Sequence, residues 1–213
     1  MFAIVGGKGG CGKTTSALGL ARALASNGRR PLVVDVDCAM PNAHAMAETD
    51  RRPGLGAVAD GAPVERVVHR SRAYPEVDVL PAGTATGPPE EATLARLGRT
   101  AAPVLLDCPA GATASVATPV SAADAALVVS TAERASLVDA AKTARAVRAL
   151  GTSLAGAVVT RTRGGLPECP ELDRLREECR VLGTVPETDE VLGSRVSRAA
   201  YDELACRIDE RNI

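Results

Sequence analysis

The chain has 213 residues, of which 25 are basic and 26 are acidic, and its formal net charge is −1. This length fits one α/β domain, and the near-zero charge argues against a large basic face for duplex DNA. The aromatic residues are only Phe2, Tyr74 and Tyr201, too few for a stacking platform for single-stranded nucleic acid. The lysines are Lys8, Lys13 and Lys142.

The sequence gives no sign of a membrane or secretory segment. No stretch is apolar over about eighteen consecutive residues, so we expect no membrane span. A glycine-rich motif begins at residue 6, where the apolar core of a signal peptide would lie. The six cysteines include no CxxC pair and do not form the pattern of a disulfide framework. We therefore expect a reduced, cytoplasmic protein.

Short apolar runs alternate with helical patterns along the chain. Most runs are apolar at consecutive positions, which is typical of parallel strands covered on both faces. The predicted strands are Phe2–Val5, Leu32–Val34, Val77–Leu80, Val104–Leu106, Ala125–Val129, Leu154–Val159 and Val181–Val185. The third run alternates in part, so we expect it near an edge of the sheet.

Three segments have helical periodicity. Thr14–Asn27 carries an apolar stripe and is followed by Gly28, a predicted C-terminal signal. Ser136–Leu150 is followed by Gly151 in the same way. The last segment has apolar residues every four positions, at Val196, Ala200, Leu204 and Ile208. The alternation predicts an α/β fold with one doubly wound, mostly parallel sheet flanked by helices, in a single domain over residues 1–213.

The segment from residue 6 to residue 15 has the pattern of a phosphate-binding loop. It satisfies GxxxxGK[ST] between a predicted strand and a predicted helix. Glycines let backbone N–H groups converge on phosphate oxygens, and the helix N-terminus adds a partial positive charge. We expect Lys13 to reach the β- and γ-phosphates and the Thr14 hydroxyl to bind Mg²⁺. The predicted nucleotide contacts here are Gly7, Lys8, Gly9, Gly10, Cys11, Gly12, Lys13, Thr14 and Thr15.

A second lysine, Lys8, stands at the start of this loop, in the sequence KGGCGKTT. This variant of the P-loop resembles the MinD/ParA family of ATPases, and MinD-like members more than DNA-partition members. The resemblance implies an ATP-dependent homodimer in which Lys8 reaches the phosphates bound to the partner subunit. It also implies Mg²⁺-dependent hydrolysis of ATP to ADP that is slow without a partner protein, because a switch needs a long-lived bound state.

The second predicted strand is followed by acidic residues. Asp35-Val36-Asp37, with Asn42 downstream, is similar to the first switch of that family. The resemblance implies that Asp37 orients the attacking water and is a catalytic residue together with Lys8 and Lys13. We assign Asp37 also to the metal site, and we expect Asp35 nearer the strand end, beside the magnesium shell.

The fourth predicted strand ends in Asp107, which is typical of a Walker B element whose carboxylate holds Mg²⁺, usually through water. The following residues, Cys108-Pro109-Ala110-Gly111, look like the second switch of the family. That similarity implies that the Gly111 N–H faces a γ-phosphate. Thr14, Asp37 and Asp107 are therefore the predicted metal residues.

Two later segments imply the position of the base. Two segments, Val158–Arg161 and Leu182–Glu187, are similar to family segments that border adenine. The resemblance therefore assigns Thr160, Arg161 and Pro186 to the adenine side of the site. Because aromatic residues are scarce, we expect aliphatic side chains and edge hydrogen bonds to hold adenine unless Tyr74 or Tyr201 reaches it.

Three other functions share parts of this pattern. A DNA-partition ATPase would need a basic surface, and the near-zero net charge argues against one. A nucleotide-gated scaffold would bind ATP with negligible hydrolysis. Cys11, Cys38 and Cys108 would suit a redox protein with a bridged cluster, although they stand at predicted nucleotide contacts. The last segment lacks the composition of a membrane anchor. The family resemblance further implies a protein activator or cargo, in cell division, spatial organisation or partitioning.

Overall fold

The computed structural model describes residues 1–25, 30–111 and 114–208. The strands are β1 (Phe2–Gly6), β2 (Leu32–Asp35), β3 (His69–Arg70), β4 (Asp78–Leu80), β5 (Val104–Ala110), β6 (Ala125–Thr131), β7 (Ser153–Thr162) and β8 (Val181–Pro186). The helices are α1 (Lys13–Ala25), α2 (Ala43–Met46), α3 (Leu55–Ala59), α4 (Glu91–Leu97), α5 (Ala114–Ser121), α6 (Arg134–Ala149), α7 (Pro170–Glu178) and α8 (Arg195–Arg207).

The strands form one eight-stranded sheet in the order β3-β4-β2-β5-β1-β6-β7-β8. All neighbouring pairs are parallel except β3 and β4. The predicted doubly wound, mostly parallel α/β fold is therefore confirmed. β4 is next to the edge, where the partial alternation of its sequence placed it.

Each central strand sends alternate side chains to opposite sides of the sheet. Phe2 and Ile4 of β1 belong to the apolar cluster that contains residues of α1, α2 and α8. Ala3 and Val5 belong to the second cluster, which contains residues of α3, α4, α5, α6 and α7. Because both faces are covered, these strands are apolar at consecutive positions.

The three predicted helical segments correspond to α1, α6 and α8 and differ from them at their ends and in one stripe, whereas α2, α3, α4, α5 and α7 were not predicted. The predicted apolar stripe of α6 is buried, from Leu137 to Val147. In α8, Val196 is 63% exposed, whereas Ser197 and Tyr201 are buried; the four-residue stripe was wrong at its first position. The predicted stop at Gly28 and the chain after residue 208 lie outside the described residues. No helix in the described ranges is long and apolar enough to span a bilayer.

Candidate functional site

A cavity of about 290 Å³ lies at the carboxyl edge of the sheet, where β1, β2 and β5 end. Ligands of open α/β sheets bind at this edge. The cavity is lined by Gly9, Gly10, Gly12, Lys13, Thr14, Thr15, Asp37, Met40, Asn42, Met46, Cys108, Ala110 and Arg161. Most of the predicted P-loop residues therefore surround one cavity, together with residues of both predicted switches.

The loop between β1 and α1 depends on its glycines. Gly10 and Gly12 have φ angles of +74° and +96°, in the left-handed region that favours glycine. A Cβ on Gly7 would lie 2.6 Å from the Cβ of Asp139 in α6, so Gly7 packs the loop against that helix. The loop then enters α1 at Lys13, whose side chain is largely buried and lines the cavity.

Thr14 connects the P-loop to both predicted switches. Its Oγ1 lies 2.5 Å from Asp107 Oδ2 and 2.8 Å from Asn42 Oδ1. A hydroxyl carries one proton, so it can donate to only one of these two acceptors at a time. Three oxygen-bearing side chains from three segments thus meet at the start of α1.

The donor set at this point fits a magnesium ion. Asp107 is 2% exposed, and within the described part of the chain its Oδ1 has no hydrogen-bond donor. Burial raises the pKa of Asp107 to about 7, against the opposing effect of the Thr14 hydroxyl. A buried carboxylate oxygen without a partner is costly unless a cation approaches it. Mg²⁺ prefers such oxygen ligands, with phosphate and water completing its shell.

The first switch is organised by Asp35. Its carboxylate accepts hydrogen bonds from the backbone N–H groups of Asp37, Asn42 and Ala43, each 3.1 Å long. Burial raises the pKa of Asp35 to about 6, although these N–H groups act in the opposite direction. The side chain of Asp37 lines the cavity, and its Oδ1 accepts the Met40 N–H at 3.1 Å.

Thr160 lies beneath the P-loop. Its buried hydroxyl is 2.8 Å from the carbonyl oxygen of Cys11 and 3.1 Å from that of Ser130. A Cβ on Gly12 would lie 3.5 Å from the Thr160 side chain. This residue, assigned from the sequence to the adenine side, therefore supports the backbone of the P-loop from the neighbouring strand β7.

Arg161 is next to Thr160 but faces the cavity. It has a φ of +52° at an irregularity in the pairing of β7 with β8, and such irregularities redirect a side chain. Pro186 is paired with Thr162 at the end of β8 and is not one of the residues lining the cavity. Of the three residues assigned to the base, only Arg161 contacts this space in the described chain.

Neither tyrosine lines the cavity. Tyr201 is buried in α8, with its hydroxyl 3.3 Å from the Ser16 Oγ of α1. The ring of Tyr74 lies 5.8 Å from the guanidinium carbon of Arg22. Both aromatic rings are therefore used in packing between elements, away from the residues that line the cavity.

Lys8 is not among the residues that line the cavity of its own chain. Its Nζ lies 3.1 Å from Glu133 Oε2, and the two side chains are 51% and 67% exposed. An exposed ion pair of this kind contributes little to stability. The ammonium group is thus held at the surface by a weak contact.

Gly111 follows β5 with a φ of +90°. Its backbone N–H donates to the Gly6 carbonyl at 3.0 Å. In this conformation the N–H predicted to face a γ-phosphate is bonded to the start of the P-loop.

The cysteines near the site are not arranged as reactive thiols. Cys11 and Cys108 are buried, and burial raises the pKa of each. Cys38 is half-buried, and burial and then the nearby carboxylates Asp35 and Asp37 raise its pKa. A raised pKa disfavours the thiolate that cluster ligation and thiol oxidation require. The interpretation of these residues as small side chains tolerated at the site stays a prediction.

Sequence reasoning missed part of the cavity wall. Asn42 was recognised only as part of a motif, yet its amide oxygen reaches the Thr14 hydroxyl. Met40 and Met46 also line the cavity, and no spacing rule in the sequence indicates them.

Comparison with known proteins identifies the family. Residues 2–197 match the model of the CobQ/CobB/MinD/ParA nucleotide-binding domain. An uncharacterised ATP-binding protein of Methanocaldococcus jannaschii is 33% identical over 202 residues, which cover 89% of this chain and 75% of that protein.

Solved structures agree with this result. The cell division ATPase MinD of Pyrococcus furiosus superposes with a TM-score of 0.82 at 26% identity and covers 98% of each chain. MinD of Pyrococcus horikoshii, solved with Mg-ADP, has a TM-score of 0.80 at 22% identity, over 98% of this chain and 95% of that one. The chain belongs to the CobQ/CobB/MinD/ParA family of nucleotide-binding domains, and its fold is that of the MinD-like P-loop ATPases.

Proposed function

We propose that this protein is an Mg²⁺-dependent ATPase that works as a dimerisation switch. The family match and the MinD-like fold support nucleotide binding. Thr14 and Asp37 line the same cavity, and Asp107 lies 2.5 Å from the Thr14 hydroxyl, an arrangement that supports hydrolysis. We also infer that residues 1–213 form one domain, since both core clusters pack on the same sheet.

The residues of the cavity have separate roles in this proposal. The backbone N–H groups of the P-loop and the Lys13 ammonium bind the β- and γ-phosphates, while Thr14 and Asp107 hold Mg²⁺. The ion, when bound, offsets negative charge on the phosphate oxygens. Asp37 orients the attacking water from the first switch.

Residues beside the phosphates complete the site. The Gly111 N–H gives up its hydrogen bond to the Gly6 carbonyl and donates to a γ-phosphate oxygen instead. Arg161 lies at the edge of the cavity and contacts the base there. That a structural neighbour was solved with Mg-ADP supports the binding of nucleotide and Mg²⁺ in this proposal.

Lys8 carries the dimerisation part of the proposal. A P-loop lysine that binds the phosphates of its own subunit would line the cavity, as Lys13 does. Lys8 instead reaches the surface at Glu133, from which it can enter the cavity of a partner subunit. There its charge stabilises the negative charge that develops during phosphoryl transfer. Hydrolysis then removes the phosphate that Lys8 contacts, and the dimer separates.

A partner protein sets the rate of this cycle in our proposal. A switch is useful only if its bound state lasts, so we expect slow hydrolysis by the isolated protein. The partner acts as an activator or as cargo and binds the dimer. The formal net charge of −1 gives no general attraction for DNA, which favours a protein as that partner.

Size-exclusion chromatography with light scattering tests the proposal. The measurement compares the nucleotide-free protein with the protein in ADP and in ATP, and includes the Asp37→Ala variant in ATP. We expect a monomer without nucleotide and in ADP, and a dimer in ATP that Asp37→Ala prolongs. Lys8→Ala should not dimerise, whereas Lys142→Ala, which removes an exposed lysine paired with Asp139, should behave as wild type.

The outcomes separate the alternatives. A protein that remains monomeric in every condition is not a dimerisation switch. A stable ATP dimer without phosphate release, even with candidate partners, indicates a nucleotide-gated scaffold. If Lys8→Ala dimerises and hydrolyses ATP like wild type, the role proposed for this lysine is wrong.

A further inference from the structure

Asp35 is a buried carboxylate without a positively charged partner in the described chain. Its side chain at the end of β2 is inaccessible to solvent. In the register of the sheet it is the direct neighbour of Asp107 on β5. Two buried carboxylates on adjacent strands repel each other. Such an arrangement is unfavourable for packing alone and therefore indicates a task for Asp35.

The hydrogen bonds of Asp35 show what this task is. Oδ1 accepts the N–H of Asp37, and Oδ2 accepts the N–H groups of Asn42 and Ala43, all at 3.1 Å. One side chain thereby closes the loop between β2 and α2 at both of its ends. Hydrogen bonds to an ionised acceptor are stronger than those between neutral groups.

The residues fixed in this way are those that face the nucleotide cavity. Asp37 lines it, and the side chain of Asn42 reaches the Thr14 hydroxyl at 2.8 Å. We propose that Asp35 is a positioning residue that folds the first switch and so places Asp37 and Asn42 at the phosphate and metal site. This inference rests on the function proposed above.

The same contacts argue against Asp35 as a metal ligand. Both of its oxygens already accept backbone N–H groups, whereas Asp107 has an oxygen without a donor among the described residues. A cation entering the site therefore finds an oxygen without a donor on Asp107, whereas each oxygen of Asp35 is already engaged by at least one N–H group. The sequence places Asp35 beside the magnesium shell. In this proposal Asp35 affects the metal site by holding the loop in place and not by binding the ion.

Asp35→Asn provides the test, because asparagine keeps the size of the side chain but replaces one oxygen by an NH₂ group. Because both oxygens of Asp35 accept a backbone N–H, the NH₂ group faces another donor whichever oxygen it replaces. The chain contains no tryptophan, so Ala39→Trp adds a single fluorescent reporter in the loop, at an exposed residue that is not among those lining the cavity. The variants are compared in this background, with the exposed Asp60→Asn as a matched control.

Five measurements are made: fluorescence anisotropy of the tryptophan without nucleotide, its change on adding Mg·ATP, the dissociation constant for ATP in EDTA, the Mg²⁺ concentration that half-saturates binding, and the rate of ATP hydrolysis. For Asp35→Asn we expect lower initial anisotropy and a smaller response to Mg·ATP. Its ATP affinity in EDTA should stay within about threefold of the reference, because the P-loop is intact. Hydrolysis should fall on the order of 10- to 100-fold, since small displacements of catalytic groups have effects of this size.

Two results would overturn the proposal. One is an unchanged anisotropy and loop response in Asp35→Asn. The other is a Mg²⁺ requirement raised as far as in Asp107→Asn, which would make Asp35 a metal residue. The fluorescence readout does not depend on turnover, so it tests Asp35 even if the wild-type protein proves unable to hydrolyse ATP.

Discussion

The Thr14 hydroxyl lies 2.5 Å from Asp107 Oδ2, so the first turn of α1 is joined to the end of β5. This contact brings together a short alcohol and a buried carboxylate from distant parts of the sequence. The hydroxyl proton partly compensates the charge of the carboxylate. A magnesium ion would bind the lone pairs of the same two groups, so the fold itself places these candidate metal residues side by side.

Replacing Thr14 by valine should weaken only the metal-dependent part of nucleotide binding. Valine has the same shape but no ligand oxygen, so we expect a loss of about tenfold or more in affinity for Mg·ATP, or roughly 1.4 kcal/mol. Affinity for ATP in EDTA should change little. Isothermal titration with and without Mg²⁺ measures both. Thr100→Val, at a turn threonine bonded to the Leu97 carbonyl, is the control, and equal losses in both titrations would contradict the role of Thr14.

Asp107 should make the nucleotide-free protein less stable as the pH rises. Burial raises the pKa of its carboxyl from 3.8 to about 7. The unfolded chain therefore releases this proton at a lower pH than the folded protein. The contribution to the free energy of unfolding falls between about pH 4 and pH 7 and stays low above that range.

Asp107→Asn should consequently stabilise the nucleotide-free protein at pH 8 and have little effect near pH 4. The expected gain at pH 8 is on the order of 2–4 kcal/mol, at about 1.4 kcal/mol for each pKa unit. Urea unfolding at both pH values measures it. Asp60→Asn, an exposed change, should show no such pH dependence. A gain that is the same at pH 4 and pH 8 would mean that the charge of Asp107 is not its cause.

Thr160→Val should destabilise the P-loop. The substitution removes a buried hydroxyl that lies within hydrogen-bond distance of the carbonyls of Cys11 and Ser130 and can donate to either. We expect a loss of about 1–3 kcal/mol in the free energy of unfolding and weaker ATP binding. Thr162→Val is a matched control two residues along β7, where the buried hydroxyl is 3.4 Å from its acceptor. If the two variants bind ATP equally well, Thr160 does not support the loop.

Gly19→Ala should separate α1 from α8. A Cβ on Gly19 would lie 2.4 Å from the ring of Tyr201, and overpacking of this kind costs about 1–3 kcal/mol. Gly87→Ala is the control, because a Cβ there meets nothing within 4 Å. Thermal unfolding compares the two variants. Equal melting temperatures would show that the helices can move apart without loss.

Thiol labelling should divide the cysteines by burial. Cys206 is exposed, whereas Cys11, Cys108 and Cys179 are buried. Burial also raises the pKa of Cys179 to about 11, which lowers its thiolate fraction further. A thiol reagent should modify Cys206 rapidly and the buried residues only on unfolding. Cys206→Ser should remove the fast phase, and rapid labelling of Cys11 in the native protein would contradict the buried P-loop thiol.

Much of the fold could be predicted because parallel strands covered on both faces have continuous apolar runs. All seven predicted runs are strands, and most extend beyond the run by one or more residues. The additional residues are polar or small, such as Asp35 and Gly6, because the strands continue to the edge where the site lies. β3 was not predicted, since two residues, His69 and Arg70, are too short to show periodicity.

The site could be predicted where its chemistry requires a fixed spacing. The P-loop has such a spacing, and most of its residues line the cavity. Hydrogen bonds between side chains and backbone groups follow no fixed spacing in the sequence. The support that Thr160 gives to Cys11 depends on how strands lie side by side, and the bonds of Asp35 depend on the path of the loop after β2. A single sequence displays neither.

The bond from the Gly111 N–H to the Gly6 carbonyl has a consequence of another kind. It involves main-chain atoms only, and it exists because β5 lies beside β1 in the sheet. Side-chain substitutions leave both atoms in place, apart from proline at residue 111, which has no N–H. An alanine scan would therefore miss this link between the P-loop and the second switch. Replacing the amide of residue 111 by an ester, through chemical synthesis or ligation, would remove the donor and reveal it.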